Sequence, residues 1–558
     1  AVSKPLLVSV GYATCHWCHV MASEAFSDIN TARYLNDNFI CIKVDREQRP
    51  DIDQFMMDFI NKQVGRGGWP LNVFLTPSLN PVFALTYAPA ISRNSMHSFI
   101  SISEKVFTFI QEHGNDIPPF SVEESIPPIA DEKTIIDTLS GYYDNINGGF
   151  GGGQKFPSHS TLLYLLYNLA VDDSPTIRSI CAKTLDAMRL RGLHDHLQGG
   201  IFRYCVDSEW TTPHFEKMLY DQAMALWNYS LAYRVIGKED YRIMAKNILR
   251  CLDESFESDG FYISAHDADT EHDEGATYLW SLDQIEDVLD HEEFALFSES
   301  YYITKEGNFD GRNHLIRLND IPLKGIEEKL LAARKERKQP SRDDKILSGI
   351  NALLAIGMIQ AGRLIDEPEL EEKAAFLVKR ILNIFWDGKT LGHSCWNEIL
   401  QKQGFLTDAA SLLTAISMLF ENDKSWDKSM REMAAYVESF NRGGRWIESD
   451  APDFRPVYAT WFDHPAPAGI SMAEFGLSRV ALLAGNELHF KKYLQPFQSD
   501  FYNITTMICN GLFHVITSPD PIPWKLIPVN TIRVKGNMLQ DCYRGICTIP
   551  SPGTFRDN

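Results

Sequence analysis

No run of 18 consecutive apolar residues occurs in this chain of 558 residues. The nearest candidate, Gly349 to Ile365, is interrupted by Asn351, Gln360 and Arg363, so it reads as a buried helix and no membrane partner is expected. Basic charge is scarce as well. Fifty-three Lys and Arg face 74 Asp and Glu, a net charge of -21. Such a chain repels phosphate backbones, and nucleic acid is not an expected partner. The one basic run, Arg334-Lys335-Glu336-Arg337-Lys338, fits a solvated helix end. Cysteine is thin at ten residues, mostly single ones in apolar or aromatic stretches. That suits free buried thiols in a reducing, cytoplasmic setting better than a disulfide scaffold. The close pairs Cys15/Cys18 and Cys542/Cys547 are the exceptions. The first residues run almost directly into an apolar segment, and no secretory leader is read in them.

What is present is ordinary globular material, 44% apolar and 23% charged, in a length that calls for two or three domains. Residues 1–120 alternate short apolar runs with helical patterns: strands at Pro5–Val10, Phe39–Val44, Leu71–Leu75 and Pro81–Leu85, helices from about Cys15 to Asn36, Asp51 to Val64 and Met96 to His113. Alternation of this kind indicates a layered α/β sheet. Residues 121–131 form a linker around Pro127 and Pro128. From 132 to 510 the texture becomes helical, with segments such as Ser174–Leu190, Phe215–Val235, Asp343–Leu364, Leu406–Phe420 and Ala466–Leu483. About a dozen helices without heptads suggest paired helices closing into an all-α barrel, with a β-rich insertion near 258–320. Residues 511–558 read as a strand-like tail packing on that barrel.

The motif Thr14-Cys15-His16-Trp17-Cys18-His19 follows a buried strand and opens a helix. A helix N-terminus stabilises a thiolate through its unpaired N–H groups and dipole. Cys15 is expected to be the more exposed nucleophile and Cys18 the resolving thiol, with His16 and Trp17 supporting the site. Gly67-Gly68-Trp69-Pro70 immediately precedes the strand Leu71–Leu75, where thioredoxin folds place a cis-proline against the cysteine pair. Strand, CxxC, helix and a later Pro before a strand together point to a thioredoxin-like fold. Haem attachment uses the same CxxCH pattern but needs its own pocket; zinc needs two more ligands, and no second cysteine pair lies in the domain. A redox-dead version of the fold used for packing is the remaining alternative.

The run Lys4 to Met21, with Ile42-Lys43-Val44-Asp45-Arg46-Glu47, Arg49-Pro50-Asp51-Ile52-Asp53, Gly67 to Leu71 and Phe74 to Pro77, resembles the signature of a thioredoxin-domain family that includes the spermatogenesis-associated thioredoxin-like protein. The likeness continues through Gly149-Phe150-Gly151, Lys155-Phe156-Pro157, Pro213 to Gln222 and Asp343 to Leu347, and so covers most of the chain. It implies a multidomain protein: an α/β thioredoxin-like N-terminal domain and an all-α (α/α)6 barrel similar to N-acylglucosamine 2-epimerases and six-hairpin glycosidases. It supplies no reaction. The chain departs from the family at Ala84-Leu85-Thr86-Tyr87-Ala88-Pro89 and at Ser348-Gly349-Ile350-Asn351.

Enzymes acting on sugars need two facing proton-handling groups and aromatic platforms. The densest polar cluster runs from His194-Asp195-His196 through Arg203, Asp207, Trp210, His214, Glu216 and Lys217 to Asp221. His214, Lys217 and Asp221 recur at helical spacing and are expected on one face. His214, Glu216 and Asp221 are candidate catalytic groups, joined by Asp267, Asp269, Asp344 and Asp408 from other segments; Arg203, Trp210 and Lys217 are candidate substrate contacts. A structural ion-pair network is the competing reading. No HExxH motif or tight ligand cluster completes a metal site at His194-Asp195-His196, and the glycine run 148–153 lacks the strand a phosphate loop requires, so no cofactor is expected. The expected partners are a small carbohydrate and a thiol or disulfide protein. The alternative is a non-catalytic, redox-sensing scaffold whose barrel binds a carbohydrate or protein.

Overall fold

A computed structural model describes residues 4–93, 96–114, 116–121, 131–449, 451–463, 465–484, 512–518, 520, 522–544 and 546–551. Most of the expected linker, and Cys509, lie outside the described residues. The chain divides into two compact units: Ala1–Ser125 with Asp450–Val457, and Ile126–Ser449 with Tyr458–Asn558. No described helix is long and apolar enough to cross a membrane.

The first unit is α/β. Its elements are β1 (Leu6–Gly11), α1 (His16–Ser23), α2 (Ile29–Asn38), β2 (Ile40–Asp45), α3 (Pro50–Val64), β3 (Leu71–Leu75), β4 (Pro81–Leu85) and α4 (Phe99–His113). The sheet order is β2-β1-β3-β4, with β1 parallel to β2 and antiparallel to β3. All five residues of β3 are buried, as a strand covered on both faces requires. Leu7, Phe39, Phe74 and Phe99 pack on one side, and Val8, Val10, Phe55, Ile60 and Val73 on the other. The helical pattern from Cys15 to Asn36 is two helices, because Asp28 caps a new start by accepting the Thr31 N–H at 2.7 Å. The last helix starts at Phe99, three residues later than expected, where Ser98 caps it. The Trp69–Pro70 peptide is cis.

The second unit is helix-rich. Its helices are α5 (Glu132–Tyr142), α6 (His159–Val171), α7 (Pro175–Leu190), α8 (Leu219–Ile236), α9 (Glu239–Cys251), α10 (Leu282–Val288), α11 (His291–Ser300), α12 (Lys324–Lys335), α13 (Ser348–Leu364), α14 (Glu369–Phe385), α15 (Leu406–Asn422), α16 (Asp427–Glu438) and α17 (Gly469–Leu483). Helices α6, α8, α13, α15 and α17 pack side by side in that order. Most of their residues are buried, so they form an inner row. Helices α7, α9, α14 and α16 bury one face against the helix each follows. Inner neighbours run parallel. Gly349 sits against Asp408 near the starts of α13 and α15, and Gln360 reaches Met418 near their ends. The N-terminal ends of the inner helices therefore share one side.

Two local readings change. Residues 213–218 are not helical: Pro213–His214 and Lys217–Met218 form short strands, the second pairing with Ala265–His266, and α8 begins only at Leu219. The excursion from 258 to 320 carries α10 and α11 as well as two-residue ladders. Beyond 511, His514–Ser518, Thr531–Lys535, Gln540–Tyr543 and Ile546–Cys547 form a four-stranded sheet, and Cys542 is disulfide-bonded to Cys547 across its last pair.

Candidate functional site

In the N-terminal unit, Cys15 caps α1. The Cys18 N–H donates to its sulfur at 3.2 Å. Cys15 and Cys18 are disulfide-bonded, with Cα atoms 5.2 Å apart. Gly11 makes room for the pair, since a Cβ there would stand 2.9 Å from Cys18 Sγ. The expectation that Cys15 is the more open of the two is reversed: it is buried and Cys18 is half-buried. Trp17 is exposed and leans on the Tyr87 ring at 5.3 Å, with His16 at its edge. Trp69 is held from three directions. Its indole N–H donates to Asp53 at 2.7 Å, the Arg46 guanidinium lies 3.9 Å over its ring, and Tyr12 meets it edge-on at 6.0 Å. Burial, then the charge of Asp53, pushes the Asp58 carboxyl up to about 6.

In the helical unit, two polar clusters lie at the N-terminal ends of inner helices. The first is built on the ladder Tyr204–Cys205/Pro213–His214 and on the start of α8. Arg203 donates to Glu216 at 3.0 Å, His214 Nε2 stands 3.7 Å from the same carboxylate, and His214 Nδ1 lies 2.6 Å from Glu274 Oε1. Asp221, in the first turn of α8, is fully buried with His159 Nε2 3.3 Å away. Burial raises its pKa against the pull of His159 and Arg203. Asp221 also feels the charges of Arg203 and Glu216, so a buried, protonatable acid and a carboxylate-backed imidazole share one cluster, an arrangement suited to moving protons.

The second cluster joins α15, α17 and the strand Arg445–Ser449. His393 Nδ1 lies 2.6 Å from Asp408 Oδ2, both buried, with Phe405 edge-on to the imidazole. The Thr407 N–H donates to Glu448 at 3.0 Å, and burial pushes the Glu448 carboxyl up to about 7. Asp463 accepts from the Ala468 N–H and the Ser471 hydroxyl, and burial raises it to about 7 as well. The departure at Ser348-Gly349 has a local reason: a Cβ on Gly349 would lie 2.2 Å from an Asp408 oxygen.

A third cluster is closed. Asp195 takes two bonds from Arg334 at 2.8 and 2.9 Å and one from Lys217 at 2.7 Å, all three residues being buried. Burial opposes its ionisation, but those two cations hold it well below the carboxylate range.

A family model described as Thioredox_DsbH, protein of unknown function DUF255, matches residues 1–123. Human spermatogenesis-associated protein 20 is 30% identical over 539 residues, covering 80% of this chain and 67% of the human protein. The chain belongs to that family. A second likeness lies in a shorter stretch: cellobiose 2-epimerase of Bacteroides fragilis is 30% identical over 134 residues, 23% of this chain and 31% of the epimerase. Among solved structures, the cellobiose 2-epimerase of Spirochaeta thermophila aligns with 64% of this chain and 78% of its own, at 13% identity and a TM-score of 0.43.

For this family member, the structure brings His214, Glu216, Arg203 and Asp221 together. Asp269 joins their margin, since it pairs with Glu274 in a short ladder. Asp267 is buried in the same loop, where it accepts the Asp269 N–H at 3.0 Å. Asp408 belongs to the second cluster. Three expectations are corrected. Asp344 points outward, 61% exposed, and pairs with Arg342. Trp210 has no exposed surface; its indole N–H donates to the Gly148 carbonyl, so it offers no face to a ligand. Lys217 shares no helical face with His214 and Asp221 and is committed to Asp195. His194 and His196 bond to the carbonyls of Arg189 and Arg191. The residues missed from sequence are His159, Glu274, His393, Glu448 and Asp463. Glu448 carried one usable signal, an acid in the short strand between Ile447 and Ser449.

Proposed function

We propose that the protein joins a thiol–disulfide exchange unit to a carbohydrate-active unit, an (α/α)6 barrel of epimerase or glycosidase type. In the first unit, a Cys15/Cys18 dithiol would reduce a partner's disulfide, delivering two electrons and two protons and closing its own S–S bond. In the second, the reading rests on two carboxylate-backed histidines, His214 with Glu274 and His393 with Asp408, and on one buried acid raised by burial in each cluster, Asp221 in the first and Glu448, at about 7, in the second. Such pairs suit removal of a proton from a sugar carbon beside a carbonyl and its return to the other face. A protonated carboxyl such as Glu448 suits donation to a glycosidic oxygen. The 134-residue likeness to cellobiose 2-epimerase supports the sugar class.

Incubation with cellobiose and a panel of reducing sugars in D2O, followed by NMR, separates the chemistries. Solvent deuterium at the carbon next to the carbonyl marks epimerase or isomerase action; new reducing ends mark hydrolysis. His214→Ala and His393→Ala should each lower turnover at least 100-fold. An absence of both turnover and saturation-transfer signals with every sugar would sink the carbohydrate reading and leave the scaffold reading.

A further inference from the structure

The loop from 148 to 156 carries a large aromatic ring into solvent from an unusually fixed base. Phe156 is 40% exposed, whereas the residue before it, Lys155, is fully buried. Lys155 holds the loop in place: its ammonium donates to Asp144 at 2.8 Å and to the Gly151 carbonyl at 2.6 Å, and its backbone exchanges hydrogen bonds with Cys205. Underneath lies Trp210. Its indole donates to Gly148, and a Cβ on Gly149 would stand 2.6 Å from its ring. The ordering of this loop leaves Phe156 uncovered, although burying such a ring would contribute roughly 1.5–3 kcal/mol. An apolar surface held rigid and open is the arrangement of a preorganised contact.

The ring is not isolated. Phe156 stacks on Tyr204 at 4.7 Å with 20° between planes, and Tyr204 lies 5.1 Å from the His214 ring, its partner across the short ladder. The stack therefore runs from solvent to the imidazole that faces Glu274 and Glu216. Apolar C–H faces of a pyranose match an aromatic face in shape and polarity, while its hydroxyls would meet the part-exposed Glu274 and the rim of Arg203 at the edge of the stack. Trp210 cannot serve this purpose because it is closed off; its place beneath the loop makes it the support of the ring that can.

We infer that the open face of Phe156 is the platform on which a sugar ring of the substrate stacks, holding it against the His214 cluster. The inference rests on the carbohydrate reading above. The test uses the full chain, with cellobiose as probe, measured by calorimetry and by saturation-transfer NMR. Phe156→Ala is expected to weaken cellobiose binding at least 10-fold, Phe156→Trp to keep it within 3-fold, and Phe156→Leu to fall near the Ala variant because bulk without a π face is not enough. Melting temperatures should stay within a few degrees, since the ring is exposed. If wild type binds cellobiose and Phe156→Ala binds it equally, or if Leu matches wild type, the platform is wrong and the sugar reading survives. If wild type binds neither cellobiose nor any of the panel sugars, the carbohydrate reading fails and takes the platform with it.

Discussion

His393 Nδ1 stands 2.6 Å from Asp408 Oδ2, with both side chains buried at the N-terminal end of α15. Removing one partner takes a short, buried contact away from the other. Asp408→Ala should therefore lower the unfolding free energy by about 3 kcal/mol or more. A double-mutant cycle with His393→Ala should return a coupling of roughly 1–3 kcal/mol. Additive losses in urea unfolding would show that the two groups act separately.

Glu448 makes stability depend on pH in a defined direction. Burial raises its carboxyl from 4.5 to about 7 in the folded chain. The folded state thus favours the protonated form, and this preference is fully present below about pH 4.5 and lost as pH rises through about 7. Glu448→Gln keeps the neutral shape. Relative to wild type it should gain on the order of 2 kcal/mol between pH 5 and pH 8. The difference between the two unfolding curves isolates this group; a gap that does not change with pH rules the shift out.

The disulfide Cys15–Cys18 should open and close reversibly. Alkylation and mass measurement after mild reduction and after mild oxidation count the pairs. Cys15→Ser should remove one oxidisable pair while leaving that of Cys542 and Cys547. An unchanged count in Cys15→Ser would end the redox reading.

Gly149 and Trp210 should be coupled. Gly149 has φ +77°, and any side chain there meets the Trp210 ring. Gly149→Ala is expected to cost about 1–3 kcal/mol, and Trp210→Ala about 3–5 kcal/mol. In the double variant the Gly149→Ala penalty should shrink, because the obstructing ring is gone. Thermal melts of the four proteins check this; full additivity would contradict the contact.

The Cys15–Cys18 pair and its place in the fold were legible because their signals are local and contiguous. A strand, the Cys15/Cys18 spacing, a helix start and Pro70 ahead of β3 each act within a few residues. The site of the helical unit was legible in composition but not in geometry. His214, Lys217 and Asp221 mimic helical spacing, yet Lys217 and Met218 are drawn into a strand by Ala265 and His266, a pairing set by tertiary structure. His393 and Glu448 stood apart from the acidic and histidine clusters in sequence. Only the packing of β-ladders onto the starts of α15 and α17 makes them neighbours of Asp408.

Residues 450–457 belong with the N-terminal unit although most of the helical unit is encoded before them. Within that unit, Phe454 meets Phe55 edge-on at 5.7 Å, Arg455 lies 4.4 Å over the same ring, and Asp453 takes a bond from Arg49 at 2.7 Å. During synthesis the sheet can form as soon as β4 emerges, but the edge of its core supplied by Phe454 and Val457 arrives only when Val457 has been made. A nascent chain would therefore hold Phe55 against Phe120 and the sheet, without its Phe454 and Arg455 contacts, until the helices from α5 to α16 have been made. The N-terminal unit starts ahead of the helical unit and is completed only after α16 has been made.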